Sequence, residues 1–214
     1  MASQADVAAK AEFIRAFFDD LRSKAAFADR LFADRHDDEA RLLVCCYIES
    51  LGNGLDPSGG YGARNFVQVL IDHGGEPALA LLLPKLLQTM LPYKNASPST
   101  KAALEGALSR LPPSEALSDR ELFVALGPAI DAEALAFLKR ELWRARVAAL
   151  AYSRVRSMGA HWFASPSAVS FSTTTHRGTP LPEIDFAVLR SALLRIIDYA
   201  DALSARTNKW FGHA

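Results

Sequence analysis

Residues that could do chemistry are concentrated in one short segment, which runs from Tyr152 to His161. The segment holds two arginines, Arg154 and Arg156, and a single histidine, His161. An imidazole can transfer a proton near neutral pH, and a guanidinium can bind a phosphate through two parallel hydrogen bonds. Together these groups suit a cleavage of RNA that uses no metal and no cofactor. We expect Tyr152 and Ser157, in the same segment, to contact the substrate.

The spacing leaves open which arginine works with His161. Residues seven apart lie on nearly the same face of a helix, so Arg154 and His161 would converge if the helix continued that far. Arg156 is five residues from His161 and would converge with it only through a turn at Gly159. An ordinary alternative treats the arginines as surface ion pairs and His161 as a cationic group at a helix C-terminus, where positive charge is favoured. Composition alone favours this alternative.

A long amphipathic helix is expected to carry the segment. Apolar residues recur at intervals of three and four through the range 132–158, which predicts one helix running through the centre of a bundle. We expect the core to form between this helix, over 132–156, and two further helices at 38–51 and 186–204. The side chains expected to be among the most buried are Leu43, Leu138, Leu142, Leu193 and Ile197.

The rest of the chain also has helical periodicity, which predicts a mainly α fold, a helical bundle with one small β-hairpin. Ser, Thr and β-branched residues alternate only near 168–183, where we expect the hairpin, just before the last helix. The tail that carries Trp210 and Phe211 is expected to dock on the bundle. The chain 1–214 is predicted to be one helical domain, in which 92–131 is an insertion or cap.

Composition narrows the functional classes. Lys and Arg number 24 and Asp and Glu also number 24, so the formal net charge is zero. This balance argues against a protein that binds nucleic acid over its whole surface. A local basic run remains, because six Lys or Arg residues and one acidic residue, Glu141, fall within 139–156. The run is either a solvated helix face or a basic patch.

The two cysteines, Cys45 and Cys46, are adjacent and are poorly placed to bridge each other. They lack the spacing of metal ligands, so we expect core or near-core thiols on a helix, no metal and a reducing compartment. The apolar run 79–91 is too short to span a bilayer, and the N-terminus lacks the pattern of a signal peptide. These features favour a cytoplasmic protein that does not insert into a membrane.

The segment SRVRSMGAH resembles the Arg-x4–6-His motif of the HEPN superfamily (higher eukaryote and prokaryote nucleotide-binding). Arg156, the polar Ser157 and His161 fit the family's Arg-polar-x3-His form, and Arg154 fits its longer variant. The surrounding order is similar to that of bacterial HEPN-like proteins: CYIESLG, a loop, RNFVQVLIDHG, the Arg/His element, a short hairpin and a closing helix. The similarity covers roughly 37–91 and 145–211.

The resemblance implies an α-helical bundle that forms a homodimer and brings two Arg/His motifs into one cleft. It also implies metal-independent endoribonuclease activity on RNA, in a toxin–antitoxin or antiviral setting. The alternative is a non-catalytic helical interaction or RNA-binding module, for example the partner of another protein in a bacterial operon. A small-molecule or nucleotide sensor is a third possibility. A neutral net charge and the absence of a second catalytic group in the sequence favour the alternative.

Three further polar residues carry weaker expectations. Glu49, in CYIESLG, either orients an arginine or is a carboxylate on a helix surface, and the second interpretation is favoured. His73 and His176 are isolated histidines in predicted turns, and the sequence gives neither of them a defined role.

Overall fold

A computed structural model describes residues 4–56, 62–157, 169, 171 and 173–211. Within these residues the fold is mainly helical, with a small antiparallel hairpin ahead of the C-terminal helix. The predicted fold class is therefore confirmed.

The chain divides into two compact units. The first consists of Met1–Glu76, Ala151–Ala168 and Ile184–Ala214, and the second of Pro77–Leu150 and Val169–Glu183. The stretch 92–131, predicted as an insertion or cap, lies wholly within the second unit. The segment that carries Tyr152, Arg154 and Arg156 belongs to the first.

The first unit is built from α-helices and a short π-helical segment. Their bounds are Gln4–Ala33 (α1), Asp37–Leu55 (α2), Ala63–His73 (α3), Ala151–Ser157 (the π segment) and Phe186–Thr207 (α9). Helix α9 packs against α1, α2 and α3. It begins at Asp185, whose carboxylate accepts a hydrogen bond from the N–H of Val188. Its inward stripe, which includes Leu193 and Ile197, is fully buried.

Ion pairs join α1 to α9. Arg22 Nη2 donates to Asp198 Oδ1 at 3.0 Å and to Asp201 Oδ2 at 2.8 Å. The hydrogen bonds to Asp201 and Asp198 raise the pKa of Arg22. Further along, Arg190 binds Asp29 through two hydrogen bonds of 2.8 and 2.7 Å. Because Asp198 and Asp201 are three residues apart on α9, both carboxylates reach one guanidinium, and the pairs fix how the two helices align.

The C-terminal tail docks on α1, as predicted. Trp210 meets Phe17 edge-on with ring centroids 4.5 Å apart, and the Phe211 ring lies 5.8 Å from that of Phe18. A glycine in α2 makes room for this contact, because a Cβ at Gly54 would overlap the Phe211 ring. These aromatic contacts therefore attach the C-terminal tail to α1 and α2.

Adjacent leucines on α9 test the burial of its inward stripe. Leu193 is fully buried, whereas Leu194 is half-buried. We expect Leu193→Ala to lower the free energy of unfolding by about 2–5 kcal/mol, because it removes apolar contacts and leaves a cavity. Leu194→Ala, the matched control, should cost clearly less. Urea denaturation followed by circular dichroism measures both, and equal losses would contradict the assigned face of α9.

The second unit contains shorter helices. The α-helices are Pro84–Met90 (α4), Pro98–Leu108 (α5), Asp119–Leu126 (α6), Ala132–Glu141 (α7) and Val147–Leu150 (α8). The 3-10 turns are Pro77–Ala80, Leu91–Tyr93, Gly127–Ala129 and Leu142–Ala145. A leucine-rich core joins α5, α6 and α7, and Leu104, Leu122 and Leu138 are buried in it. Ser97, Ser118 and Asp131 cap these three helices with side-chain oxygens.

The hairpin consists of Thr175–His176 (β1) and Thr179–Pro180 (β2). Arg177 and Gly178 form its turn, with φ angles of 52° and 78°. A two-residue turn with two positive φ angles matches the twist of the paired strands. Contacts hold Arg177 in this conformation: its N–H donates to Glu115 Oε1, and its Nε donates to Glu121 Oε1 at 2.8 Å.

The predicted single helix over 132–158 is wrong. Helix α7 ends at Glu141, a 3-10 turn follows, and Arg146 is extended with φ −74° and ψ 152°. Helix α8 and the π segment follow, and the π segment ends at Ser157. The apolar spacing was misleading because each short piece buries its own apolar residues, so the pattern continues across a break in the backbone.

Backbone pairing explains the break at Arg146. The N–H of Leu83 donates to the Ala145 carbonyl at 2.9 Å, and the N–H of Val147 donates to the Leu81 carbonyl at 2.9 Å. The Arg146 side chain donates to the Ala80 carbonyl and to the carboxylate of Asp119. These bonds are made to residues distant in the sequence, and they use backbone groups that a continuous helix would have paired internally.

The predicted three-helix core is confirmed only in part, because 38–51 packs against 186–204 and against 151–156. Residues 132–145 pack in the core of the second unit, whereas 38–51 and 186–204 belong to the first. Leu138, Leu142, Leu193 and Ile197 are buried as expected. Leu43 is only half-buried, and the next residue, Val44, is fully buried instead. The run LLVCCYI is apolar at every position, so periodicity could not define its inward face.

Glu121 links α6 to the hairpin and makes the stability of the second unit sensitive to acid. Its carboxylate accepts hydrogen bonds from the hydroxyl and the N–H of Ser118 and from Arg177, and these lower its pKa from 4.5 to about 2. A group whose pKa is lowered by folding stabilises the fold above its unfolded pKa. That stabilisation is lost as the pH falls from 4.5 towards 2.

We therefore expect Glu121→Gln to be less stable than the wild type at neutral pH, with a difference that shrinks between about pH 5 and pH 2. Urea unfolding at a series of pH values measures the difference. Glu105→Gln provides the matched control, because Glu105 is an exposed residue of the same unit. A difference that is unchanged at about pH 3 would show that the carboxylate does not act in this way.

Candidate active site

An ion pair joins α2 to the π segment in the first unit. Arg156 Nε donates to Glu49 Oε2 at 2.6 Å, and the Tyr152 hydroxyl donates to Glu49 Oε1 at 3.4 Å. The Arg156 and Glu49 side chains are 21% and 14% exposed, so the pair is mostly withdrawn from water but still reachable. We refer to Glu49, Tyr152 and Arg156 as the Glu49 cluster.

The local backbone determines which arginine joins this cluster. Tyr152 and Arg156 are four residues apart in the π segment, so they share one side of it. Arg154 lies midway between them in the sequence, points to the other side and is exposed. Ala151 and Val155 are buried and hold the segment against α2 and α3. Short π-helical segments are frequent at functional sites, because they re-aim side chains relative to an α-helix.

Polar contacts between α2 and α3 support the cluster from beside it. Asn53 Oδ1 accepts hydrogen bonds from the Gly62 N–H at 3.0 Å and from Asn65 Nδ2 at 3.2 Å. Asn65, which is 2% exposed, also donates to the Asp56 carbonyl at 3.0 Å. The Tyr152 ring meets the ring of Phe66 edge-on at 5.3 Å. The asparagine contacts join the end of α2 to the start of α3, and the Phe66 ring packs against the ring of Tyr152.

The protonation states follow from burial and from neighbouring charges. Burial alone would lower the pKa of Arg156, but the hydrogen bond to Glu49 and the Glu49 charge raise it. Burial and the Glu49 charge raise the pKa of Tyr152. Burial also raises the pKa of Cys46, although the Arg156 charge acts against it. At neutral pH Arg156 is therefore a guanidinium cation, and the Tyr152 phenol is neutral. The thiol of Cys46, which is not part of the cluster, is also neutral.

The geometry leaves part of the guanidinium available. Arg156 donates to Glu49 through Nε, and within the described residues neither Nη1 nor Nη2 has a hydrogen-bond acceptor. The two terminal nitrogens form a planar fork that matches two oxygens of a phosphate or carboxylate. The cluster can therefore hold an anion at a defined orientation.

The structure brings only some of the predicted site residues together. Arg156 and Tyr152 meet at Glu49, whereas Arg154 is exposed and has no ion-pair partner in the described part of the chain. Ser157 ends the π segment and is half-buried. His161 lies outside the described residues.

Glu49 is the residue that sequence reasoning undervalued. It was expected to be a carboxylate on a helix surface, and that interpretation is wrong, because it is mostly buried and anchors Arg156. A signal was present in the sequence: Cys45, Glu49 and Asn53 are spaced by four residues in α2, so Glu49 shares one side of the helix with a cysteine and an asparagine. The thiols of Cys45 and Cys46 are buried and half-buried, as predicted.

The two isolated histidines have local contacts away from this cluster. His73 stacks on Tyr199, with ring centroids 3.7 Å apart and planes inclined by 17°, and burial lowers the pKa of His73. His176 Nδ1 lies 2.8 Å from the Ala116 carbonyl oxygen, which requires a proton on that nitrogen. Both rings therefore have packing or hydrogen-bonding contacts of their own.

Comparisons with known proteins give no match: no family model, no curated protein and no solved structure is similar to the chain. Among the described residues, no group of three or more His, Cys, Asp or Glu side chains could hold a metal ion. In the same residues, no helix combines the length and apolar character needed to cross a membrane. The resemblance to the HEPN superfamily therefore stays a prediction from the sequence.

The strength of the Glu49–Arg156 pair can be measured with a double-mutant cycle. We expect Glu49→Gln, Arg156→Gln and the double variant to give a coupling energy of about 0.5–3 kcal/mol, because each single change leaves a mostly buried partner unpaired. Urea unfolding measures the four proteins. Arg154→Gln is the control and should leave stability nearly unchanged, because Arg154 is exposed. A coupling energy of zero would mean that the pair does not stabilise the fold.

Proposed function

We propose that this protein is a metal-independent endoribonuclease of the HEPN type. One observation carries the proposal: Glu49 holds Arg156 through Nε and leaves its terminal nitrogens available to an anion. A guanidinium anchored in this way can bind the scissile phosphate with two parallel hydrogen bonds. The Arg156 side chain is mostly removed from water. Its guanidinium charge is therefore screened less, and acts more strongly on the phosphate, than the charge of an exposed arginine would.

The proposed reaction is an internal transesterification. The ribose 2′-oxygen attacks the neighbouring phosphorus, a new P–O2′ bond forms and the P–O5′ bond breaks. One imidazole accepts the proton of the 2′-hydroxyl, and a protonated imidazole gives a proton to the departing 5′-oxygen. The products carry a 2′,3′-cyclic phosphate and a 5′-hydroxyl. Arg156 offsets the charge that builds on the phosphate oxygens, and His161 is the proposed proton-transfer group.

Tyr152 and Ser157 are the proposed substrate contacts. The raised pKa of Tyr152 keeps its hydroxyl protonated, so it remains a hydrogen-bond donor at neutral pH. It lies beside the Glu49 carboxylate, and the long distance of 3.4 Å leaves it able to turn towards a ligand. Ser157 directly follows Arg156 in the sequence and offers a hydroxyl as a second proposed contact.

A homodimer is part of the proposal. One chain contributes one imidazole at the Arg/His motif, whereas phosphodiester cleavage uses both an acid and a base. A twofold contact brings the same patch of two copies together and supplies both groups. The shared cleft would contain Arg154, Arg156 and His161 of each chain, and Trp162 and Phe163 would lie beside it in sequence. A toxin or antiviral role, with an operon partner, is the biological setting that the motif suggests.

Cleavage assays with matched variants test the proposal. Wild-type protein is incubated with total RNA in chelator, beside Arg156→Ala, Arg154→Ala and His161→Ala. We expect Arg156→Ala to lower the rate by about 10²–10³-fold, because it removes a group that stabilises the transition state. Arg154→Ala should lower the rate by less than Arg156→Ala does, because Arg154 is exposed and is not the arginine that Glu49 holds. His161→Ala should be inactive.

Two readouts on the same samples decide what a loss of cleavage means. Circular dichroism separates lost chemistry from lost folding, and sedimentation reports whether the protein is a dimer. If Arg156→Ala cleaved RNA normally and Arg154→Ala did not, the phosphate would be bound by Arg154, and its assignment to Arg156 would be wrong. If all four proteins cleaved equally, or none cleaved, the nuclease proposal would be overturned. The Glu49 cluster would then be a structural link between α2 and the π segment in a non-catalytic module.

A further inference from the structure

A second cationic site lies in the other unit, around Glu141 at the end of α7. Three cations converge on this single carboxylate: Arg144 Nε at 3.0 Å, Arg140 Nε at 3.3 Å and Lys94 Nζ at 3.6 Å. The Glu141 side chain is 16% exposed, whereas Arg140 and Arg144 are 61% and 42% exposed. One negative charge is therefore surrounded by three positive charges, and the two arginine side chains are largely accessible to solvent.

The protonation of Glu141 supports this arrangement. Burial raises its pKa, but the hydrogen bond from Arg140 and the charges of Lys94 and Arg144 outweigh burial and lower it. The carboxylate thus stays ionised at neutral pH and keeps the cations assembled. The local excess of positive charge is a property of the fold and does not depend on a bound ligand.

Aromatic rings are interleaved with these cations. The Arg144 guanidinium lies 4.1 Å from the centre of the Trp143 ring, and Arg140 lies 5.1 Å from that of Phe137. Tyr93, next to Lys94, is 89% exposed. A side chain of that size and exposure contributes little to the core, and its ring is available to a ligand. We call Tyr93, Lys94, Arg140, Trp143 and Arg144 the α7 surface.

The basic run in the sequence splits into two classes in the structure. Arg146 and Arg156 are used by the fold, in contacts with Asp119 and Glu49. The other four cations, Lys139, Arg140, Arg144 and Arg154, have exposed side chains, and of these Arg140 and Arg144 lie at Glu141. The cationic patch is thus smaller than the run of letters suggests, and it lies in the second unit alone.

A cleft adjoins the α7 surface at Arg140. It has a volume of about 320 Å³ and is lined by Asn95, Ser97, Thr100, Glu133 and Phe137 as well as by Arg140. The Glu133 carboxylate accepts hydrogen bonds from the Ser97 and Thr100 hydroxyls at 3.1 and 2.8 Å. A carboxylate repels phosphate, but it can accept hydrogen bonds from the amino group of a base. The cleft therefore suits a base edge, and the cations beside it suit the phosphates.

We propose that the α7 surface binds single-stranded RNA. Phosphates of the strand would contact Lys94, Arg140 and Arg144, and unstacked bases would lie on Tyr93 and on the Trp143–Arg144 stack. A duplex hides the faces of its bases, so it could use the cations but not the rings. An acidic protein segment would likewise use only the cations. This inference rests on residues of the second unit and does not depend on cleavage at Arg156.

Binding is tested with a labelled single-stranded 2′-O-methyl oligonucleotide, which the proposed reaction cannot cut. Fluorescence anisotropy at several salt concentrations gives the dissociation constant and its salt dependence. We expect Arg140→Gln with Arg144→Gln to weaken binding at least tenfold. The slope of log K against log salt should fall by about 0.7 for each phosphate that the variant no longer neutralises. Tyr93→Ala should weaken binding roughly fivefold or more without harming the fold, since its ring is exposed.

Matched controls separate this site from general charge and from the nuclease proposal. Arg110→Gln with Arg120→Gln removes two exposed arginines of the same unit that make no contact with Glu141, and it should leave binding unchanged. Arg156→Ala should bind normally even if it no longer cleaves. Equal weakening in the Arg110/Arg120 control, or no effect of the Arg140/Arg144 change, would overturn the inference.

Two competitors test the class of ligand. Duplex RNA that competes as well as the single strand would show that base stacking plays no part, and would overturn the proposal of a single-stranded ligand. Polyglutamate that competes as well as RNA would indicate an acidic protein partner and would overturn RNA binding. A wild-type protein that binds RNA at the α7 surface and does not cleave RNA would count against the Glu49 cluster as a nuclease site and would leave the α7 surface in place.

Discussion

The hydrogen bond between Glu49 and Arg156 is the interaction on which the candidate site depends. A charged pair that is mostly removed from water loses hydration, and it persists only when the geometry repays that loss. Here the Nε–Oε2 distance of 2.6 Å and the support from Tyr152 supply such geometry. The pair uses one edge of the guanidinium and leaves the other edge free. It therefore both connects the π segment to α2 and orients a cation towards an incoming anion.

A carboxylate also pairs with cations at the α7 surface, but there the cations outnumber it. At the Glu49 cluster one carboxylate holds one arginine, whereas at Glu141 one carboxylate gathers two arginines and a lysine. In both places an acidic side chain with low exposure fixes the position of cations that would otherwise be mobile. At Glu141 three cations surround one carboxylate, so a chain with no net charge still has a local excess of positive charge there.

Much of the fold followed from periodicity. The mainly helical class, the hairpin before the last helix, the docking of Trp210 and Phe211, and the burial of Leu193 and Ile197 are properties of local pattern. They were predictable because each depends on which residues lie a few positions apart. The break at Arg146 was not predictable in this way, since it depends on backbone bonds to Leu81 and Leu83. Hydrophobic periodicity cannot register such bonds, and the pattern runs on through the break.

The candidate site divides in the same way. The sequence by itself determined that arginines and a tyrosine lie close together on one segment, because this is a matter of spacing. Only the tertiary structure decided that Arg156 turns inward, that Arg154 faces solvent and that Glu49 is the partner. These outcomes depend on the π-helical turn and on the packing of α2, which brings together residues 107 positions apart in the chain. Burial and pairing arise between distant segments, so no local pattern contains them.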